Sequence, residues 1–305
     1  MNGKYIIHDT IGSGGYSTVY KCTDAIGVRY AIKQLPKSKN KRARIQQEIH
    51  IMKMLKNSPK VVTFRDAGED DENFYIVQDL CRGGDVKDYI GNYENYAENT
   101  VASVVRGVLR GLVHMHGLGI IHRDIKAGNI LLGDRSEDAD VKIGDFGTAI
   151  ITQMEVTEVD DLIGTPWFLA PENLSSKYVT KSDIWSLGVM TYQLLSGKMP
   201  FNDHQNPFSP SLSKIWKEIL TNEPKMTSSR WNSVSEDAKD FIKKCLTKDY
   251  LYRPSAMELL SHPWLRKTDC NDRFKGKPLQ CAPFKYEDMT MMKAKTILME
   301  PYESS

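Results

Sequence analysis

Residues 120–132 read IIHRDIKAGNILL, and residues 142–147 read KIGDFG. In the first stretch Asp124, Lys126 and Asn129 crowd into a few loop positions between two apolar segments. Asp145 follows sixteen residues after Asn129, beside another short apolar run. Carboxylate and amide oxygens suit Mg²⁺, a hard cation that keeps some of its water and bridges to phosphate. Either tripeptide, HRD or DFG, is a weak signal by itself. The two in this order and at this spacing carry far more information.

Upstream, residues 11–20 read IGSGGYSTVY between two strand-like runs. Gly12, Gly14 and Gly15 let backbone N–H groups approach phosphate oxygens without side chains in the way. The plain alternative is a glycine-bearing hairpin turn. A dinucleotide fold is disfavoured, because a strand and not a helix follows the glycines. Lys33 lies in YAIK on the next strand, and Glu48 comes fifteen residues later on the inward stripe of a helical pattern. Each alone reads as a surface charge, but together they fit a buried ion pair.

The rest of the chain divides around residue 85. Before it, residues 5–11, 18–23, 29–35, 61–64 and 74–78 read as strands. Between them Ile45, Ile49, Met52 and Leu55 mark one helix face. The basic run at 37–44, KSKNKRAR, reads as a solvated loop, with a nuclear-import signal as the alternative. CRGGD at 81–85 reads as a linker. Beyond it, Val101, Val104, Val105, Val108, Leu112 and Met115 make a helical stripe ending near Gly117. Residues 182–195 are apolar almost all round, as in a buried helix. Ser235 suits an N-cap, and a last helix near 255–260 runs into HPWL at 262–265. Residues 266–305 read as a loosely ordered tail. The expected architecture is α+β, a small β-rich lobe followed by a larger helical one.

The chain has 305 residues, 40% hydrophobic and 26% charged, which allows a sizeable core. A net charge of +2 argues against bulk nucleic-acid or membrane binding. Five scattered cysteines without a CxxC pair suggest reduced thiols, hence a cytoplasmic setting with a nuclear alternative. The N-terminus lacks a signal-peptide pattern, its glycine falls at position 3, and no stretch reaches the length of a membrane span.

Glycine loop, YAIK, Glu48, HRDIKAGN, DFG, Ala170–Pro171–Glu172, SDIWSLG and Arg253 stand in the order of eukaryotic serine/threonine protein kinases, which this sequence resembles over residues 5–265. The resemblance implies the two-lobed fold, with the small lobe at 5–78, a hinge at 79–84 and the large lobe at 85–265. It implies ATP and Mg²⁺ as cofactors and protein Ser/Thr hydroxyls as acceptors. Ile11, Gly12, Ser13, Gly14, Gly15, Tyr16, Ser17 and Thr18 would follow the nucleotide phosphates. Lys33 would hold the α- and β-phosphates, and Glu48 would hold Lys33. Val19, Ala31 and Leu131 would sandwich adenine, with backbone near Asp79 and Cys81 reading its edge and Asp85 near the ribose. Asn129 and Asp145 would bind Mg²⁺, Asp124 would accept the hydroxyl proton, and Lys126 would neutralise the moving phosphoryl group. Thr165, in GTP, marks with Lys126 the Ser/Thr type. Met52, Phe64, His122 and Phe146 would stack between the lobes, and Glu172 would pair with Arg253.

Two residues depart from the pattern: Ser17 replaces the loop's third glycine, and Gln78 stands before the hinge where a bulky apolar residue is usual. The end of the large lobe is similar to the calcium/calmodulin-dependent class, whereas HRDIKAGN is more like the sterile-type cascade kinases. No EF-hand loop is present. The methionine-rich basic stretch at 284–299 raises calmodulin as a partner, against the plainer reading of a packed or disordered tail. An upstream kinase acting on Thr157 or Thr152 is one activating route. Asp161 standing in for the phosphate opposite Arg123 is the other. A catalytically silent scaffold and a small-molecule kinase are the rival functions.

Overall fold

Period-two alternation gives way to helical periodicity near residue 85, and the architecture changes there. The computed structural model describes residues 4–91, 98–134, 139–159, 163–203, 206 and 210–266. Five antiparallel strands build the first part: β1 (Tyr5–Ser13), β2 (Thr18–Asp24), β3 (Arg29–Pro36), β4 (Phe64–Glu69) and β5 (Asn73–Asp79), in the order β1-β2-β3-β5-β4. Helix α1 (Arg42–Met54) crosses this sheet and buries Ile45, Glu48, Ile51 and Met52. The strand expected at 61–64 is not one. Val61 makes a single parallel bridge to Ile143, and the strand begins at Phe64. Val61 and Val62 are apolar because they are buried under the second half of the chain, not because they pair in the sheet.

The second part opens with β6 (Gly84–Asp85), α2 (Val86–Gly91) and α3 (Glu98–Gly117), whose buried stripe includes Val101, Val104, Val105, Val108, Leu112 and Met115. Short strands β7 (Ile120–Ile121), β8 (Ile130–Leu132), β9 (Val141–Ile143) and β10 (Ile150–Ile151) then frame two loops. Two more, β11 (Thr157–Glu158) and β12 (Lys177–Tyr178), pair with each other. Among the described residues four α-helices follow α4 (Thr180–Ser196): α5 (Leu212–Thr221), α6 (Glu236–Cys245), α7 (Ala256–Leu260) and α8 (Pro263–Arg266). Arg266 closes α8 and so belongs to the folded body; the rest of the expected tail, with the methionine-rich basic stretch at 284–299, lies outside the described residues.

Helix α4 is buried at every position from 182 to 196, which is why its sequence shows no polar face. Trp185 stacks on Phe201 with ring centroids 5.6 Å apart, and the Arg253 guanidinium lies over the same Trp185 ring. Arg253 also grips Glu172 with two bonds of 2.7 and 3.0 Å, both residues deeply buried. Ser235 caps α6 by accepting from Ala238 N, as its sequence position suggests. The result is a β-sheet lobe and a helical lobe, the α+β arrangement expected. Among the described residues no helix is long and apolar enough to cross a membrane.

Candidate active site

Helix α4 also sets the loop that carries the decisive motif. Asp183, fully buried, accepts from His122 N at 2.9 Å, Arg123 N at 3.0 Å and His116 Nε2 at 2.9 Å. Those bonds hold Arg123 in the left-handed region at φ 68°, which costs a non-glycine residue on the order of 1–3 kcal/mol. The chain turns sharply there, and the Asp124 side chain meets Asn129, Lys126 and Thr165, which line the cleft and the space beside it. His122 Nδ1 accepts from Asp124 N, which leaves Nε2 to donate to Gly144 O at 2.9 Å. One neutral tautomer therefore ties the two motif loops together. The His122 ring meets Phe146 edge-on at 5.3 Å; Met52 and Phe146 lie in one buried cluster, with Phe64 packed against it.

Asp124 is almost wholly buried, and its carboxylate is fully engaged. Oδ1 accepts from Thr165 Oγ1 at 2.8 Å; Oδ2 accepts from Asn129 Nδ2 at 2.9 Å and from Lys126 Nζ at 2.8 Å. Lys126 Nζ also lies 2.8 Å from Thr165 Oγ1. Four residues that the sequence singled out, spread over 42 positions, thus form one polar cluster.

A second cluster lies beside it. Lys33 Nζ is 2.7 Å from Glu48 Oε1 and 2.8 Å from Asp145 Oδ1. Lys33 and Glu48 are buried, while the Asp145 side chain opens to the cleft. Burial pulls the Lys33 ammonium down, but the charges of Asp145 and Glu48 outweigh it and raise the group above its ordinary value. The Lys33 charge holds Asp145 well below the usual carboxylate range. Burial pushes Glu48 up against the pull of Lys33, because one cation is shared between two carboxylates. Asp145 stands in the left-handed region at φ 58°. Gly147 sits close to this cluster: a Cβ there would lie 3.3 Å from Glu48 Oε2, a tight contact, and 3.4 Å from Asp145 Oδ1.

Between the lobes lies a cleft of about 1210 Å³. Ile11, Gly12, Ser13, Gly14, Ser17, Val19, Ala31, Lys33, Asp79, Cys81, Asp85, Asn129, Leu131 and Asp145 all line it. Gly15 and Tyr16 line an adjoining space of about 430 Å³, with Lys126 and Thr165. Thr18 lines neither, since alternation along β2 turns it away from the face that Ser17 and Val19 share. Gln78 lines the cleft from β5. The Asp79 carboxylate is held by Arg65, and burial pushes the Cys81 thiol up to about 11. Asp85 Oδ1 accepts from Asp88 N at 2.7 Å and so caps the start of α2, a role its motif position did not suggest.

Some contacts escaped the sequence reading. The basic run at 37–44 is not merely solvated. Lys37 and Arg42 pair with Glu69, both cations lie over the Phe74 ring, and Asn40 Nδ2 donates to Tyr16 O at 2.9 Å. Nothing in a run of lysines and arginines announces these partners, which come from β4, β5 and the glycine loop. Asp161 lies outside the described residues.

The donor set suits a hard divalent cation. Asn129 spends its Nδ2 on Asp124, leaving Oδ1 as its remaining acceptor, and Asp145 presents a carboxylate to the same cleft. Among the described residues there is no cluster of three or more His, Cys, Asp or Glu that would hold a metal alone. One carboxylate and one amide oxygen fit Mg²⁺ that takes its other ligands from phosphate and water.

Comparison with known proteins gives the family. The protein kinase domain family matches residues 5–265. The chain is 35% identical over 278 residues to calcium-dependent protein kinase 29 of Arabidopsis thaliana, covering 90% of this chain and 51% of that protein. It is 36% identical over 278 residues to calcium-dependent protein kinase 19 of Oryza sativa subsp. japonica, again 90% and 51%. Calcium/calmodulin-dependent serine/threonine-protein kinase 1 of the same rice is 34% identical over 275 residues, 87% and 45%. The chain spans about half the length of the curated relatives it matches, and they bear out the class suggested by the end of the large lobe. With its motif residues, two-lobed architecture and relatives in agreement, the chain belongs to the protein kinase domain family.

Proposed function

We propose that this chain transfers the γ-phosphoryl group of ATP to serine and threonine hydroxyls of protein substrates. The observation that carries the reading is the engagement of Lys33 with both Glu48 and Asp145, beside an Asp124 carboxylate held by Thr165, Lys126 and Asn129. Phosphoryl transfer needs little covalent help from the protein, so its catalysis is positioning and charge stabilisation. The cleft supplies both.

Val19, Ala31 and Leu131 offer apolar surface for the adenine, and the backbone at 79–81 offers hydrogen-bonding groups for its edge. Lys33 fixes the α- and β-phosphates. Asn129 and Asp145 would hold Mg²⁺, which would supply charge neutralisation to phosphate oxygens. Asp124 orients the acceptor hydroxyl and takes its proton as the oxygen attacks, while Lys126 offsets charge on the transferred group. The acceptors are protein chains handled by the large lobe. A cytoplasmic setting is the reading that fits the cysteine usage.

The test is incubation with ATP, Mg²⁺ and a mixed protein substrate, followed by phosphoamino-acid analysis. Phosphoserine and phosphothreonine are expected, with a rate reduced on the order of 10²–10³ in Lys33→Met. A Lys33→Met rate within threefold of wild type would refute the assignment.

A further inference from the structure

The first turn of α1 is an unpromising helix start. Its N-cap is Lys41, which makes no side-chain cap, and Arg42 and Arg44 follow with no acid among them. Cations at a helix N-terminus oppose the helix dipole and leave its N–H groups uncapped. Arg42 finds compensation outside the helix, on Glu69.

Arg44 does so in another place. Its Nε donates to Gly147 O at 2.9 Å, across 103 residues of sequence. One turn on, Gln47 Nε2 donates to Ala149 O at 3.0 Å. Between them, Arg123 Nε donates to Thr148 O at 2.6 Å. Three consecutive carbonyls, at 147, 148 and 149, therefore each receive a side-chain donor, two from α1 and one from the loop bearing Asp124. The Thr148 hydroxyl returns a bond to His122 O at 2.9 Å. This segment begins two residues after Asp145, and Arg44 and Gln47 stand four and one residues before Glu48 on its helix.

We infer that Arg44 and Gln47 are positioning residues, a latch that holds α1 and Glu48 against the backbone after Asp145 and keeps the Lys33 cluster assembled. The inference rests on the proposed phosphotransfer for its activity readout. Its acceptors are main-chain carbonyls, so the latch needs no phosphate on the segment. Both side chains are exposed on α1, while Ile45, Ile51 and Met52 carry its packing. Substitution at 44 or 47 therefore leaves the core intact.

The experiment uses the full chain after phosphatase treatment. It compares wild type, Arg44→Met, Arg44→Lys and the double variant Arg44→Met/Gln47→Met. Peptide phosphorylation and amide hydrogen exchange over residues 147–152 are both read. The double variant should lose about tenfold in kcat, as expected for two hydrogen bonds, with the KM for peptide unchanged. Its exchange over 147–152 should rise about fivefold or more. Arg44→Lys, which keeps a donor, should stay within about threefold of wild type, and Arg44→Met should not. Wild-type kcat and exchange in the double variant would overturn the inference, as would equal losses in Arg44→Lys and Arg44→Met. A wild type without phosphotransfer would defeat the proposed function and leave exchange to decide: faster in the double variant supports the latch, unchanged refutes it.

Discussion

The Thr165 hydroxyl donates to Asp124 Oδ1 at 2.8 Å across 41 residues of sequence. Its lone pairs meanwhile face Lys126 Nζ, 2.8 Å away. A threonine at this point orders both the candidate base and the candidate charge-neutralising lysine. A hydrogen bond to a charged group contributes about 1.5–3 kcal/mol. Thr165→Val, which keeps the shape and loses the hydroxyl, should lower kcat roughly 10- to 100-fold. Thr165→Ser should remain within about threefold, because the hydroxyl is retained. Steady-state kinetics on the two variants decides it, and equal losses would show that packing, not the hydroxyl, matters.

The glycine loop is tied down from outside. Asn40 Nδ2 donates to Tyr16 O at 2.9 Å and to Pro36 O at 3.0 Å, and Lys39 Nζ reaches Gly15 O at 3.3 Å. Ser17 stands where the resembling kinases carry a third glycine, so the loop is stiffer in its chain and anchored at its tip. Asn40→Leu removes the Tyr16 part of this anchor at a side chain that does not line the larger cleft. Dissociation of a fluorescent ADP analogue should then quicken about two- to tenfold, the value of one net hydrogen bond. An unchanged off-rate would mean the tip is set by the loop alone.

Acid should loosen the β4–β5 turn at Asp70. The Tyr75 hydroxyl, followed by Asn73 N–H and Glu72 N–H, draws Asp70 from 3.8 down to about 2. A depressed folded-state pKa stabilises above the unfolded value and loses that stabilisation as pH falls toward the folded one. The stability gap between wild type and Asp70→Ala should therefore be full at about pH 6 and shrink steadily between about pH 4 and 2. Urea midpoints of both proteins across that range measure it. A gap independent of pH would assign Asp70's contribution to packing.

Much of this was legible in the sequence, and the limits are physical. HRDIKAGN and DFG named Asp124, Lys126, Asn129 and Asp145 through the resemblance to protein kinases that their order carries. The helix stripe from Val101 to Met115 and the all-round apolarity of α4 were equally plain, since burial writes itself into periodicity. The apolar residues at 61–64 misled, because a short buried run looks the same in a strand and in an inter-lobe bridge. Arg44, Gln47 and Asn40 were invisible for another reason. Their acceptors are backbone carbonyls distant in sequence, and a carbonyl has no residue type to read. Asp85 was half-read: its place in the cleft showed in the motif, its cap on α2 did not.

The central claim is that Asp124 carries the acceptor's proton in an ATP-dependent transfer to Ser/Thr. The direct measurement is label transfer from γ-labelled ATP to matched serine and threonine peptides by wild type and Asp124→Ala, each with and without phosphatase or upstream-kinase treatment. Wild type should label both peptides in Mg²⁺, and Asp124→Ala should fall on the order of 10²–10⁴ while still binding nucleotide. A wild type silent under every treatment, or an Asp124→Ala variant that labels as fast as wild type, would contradict the account.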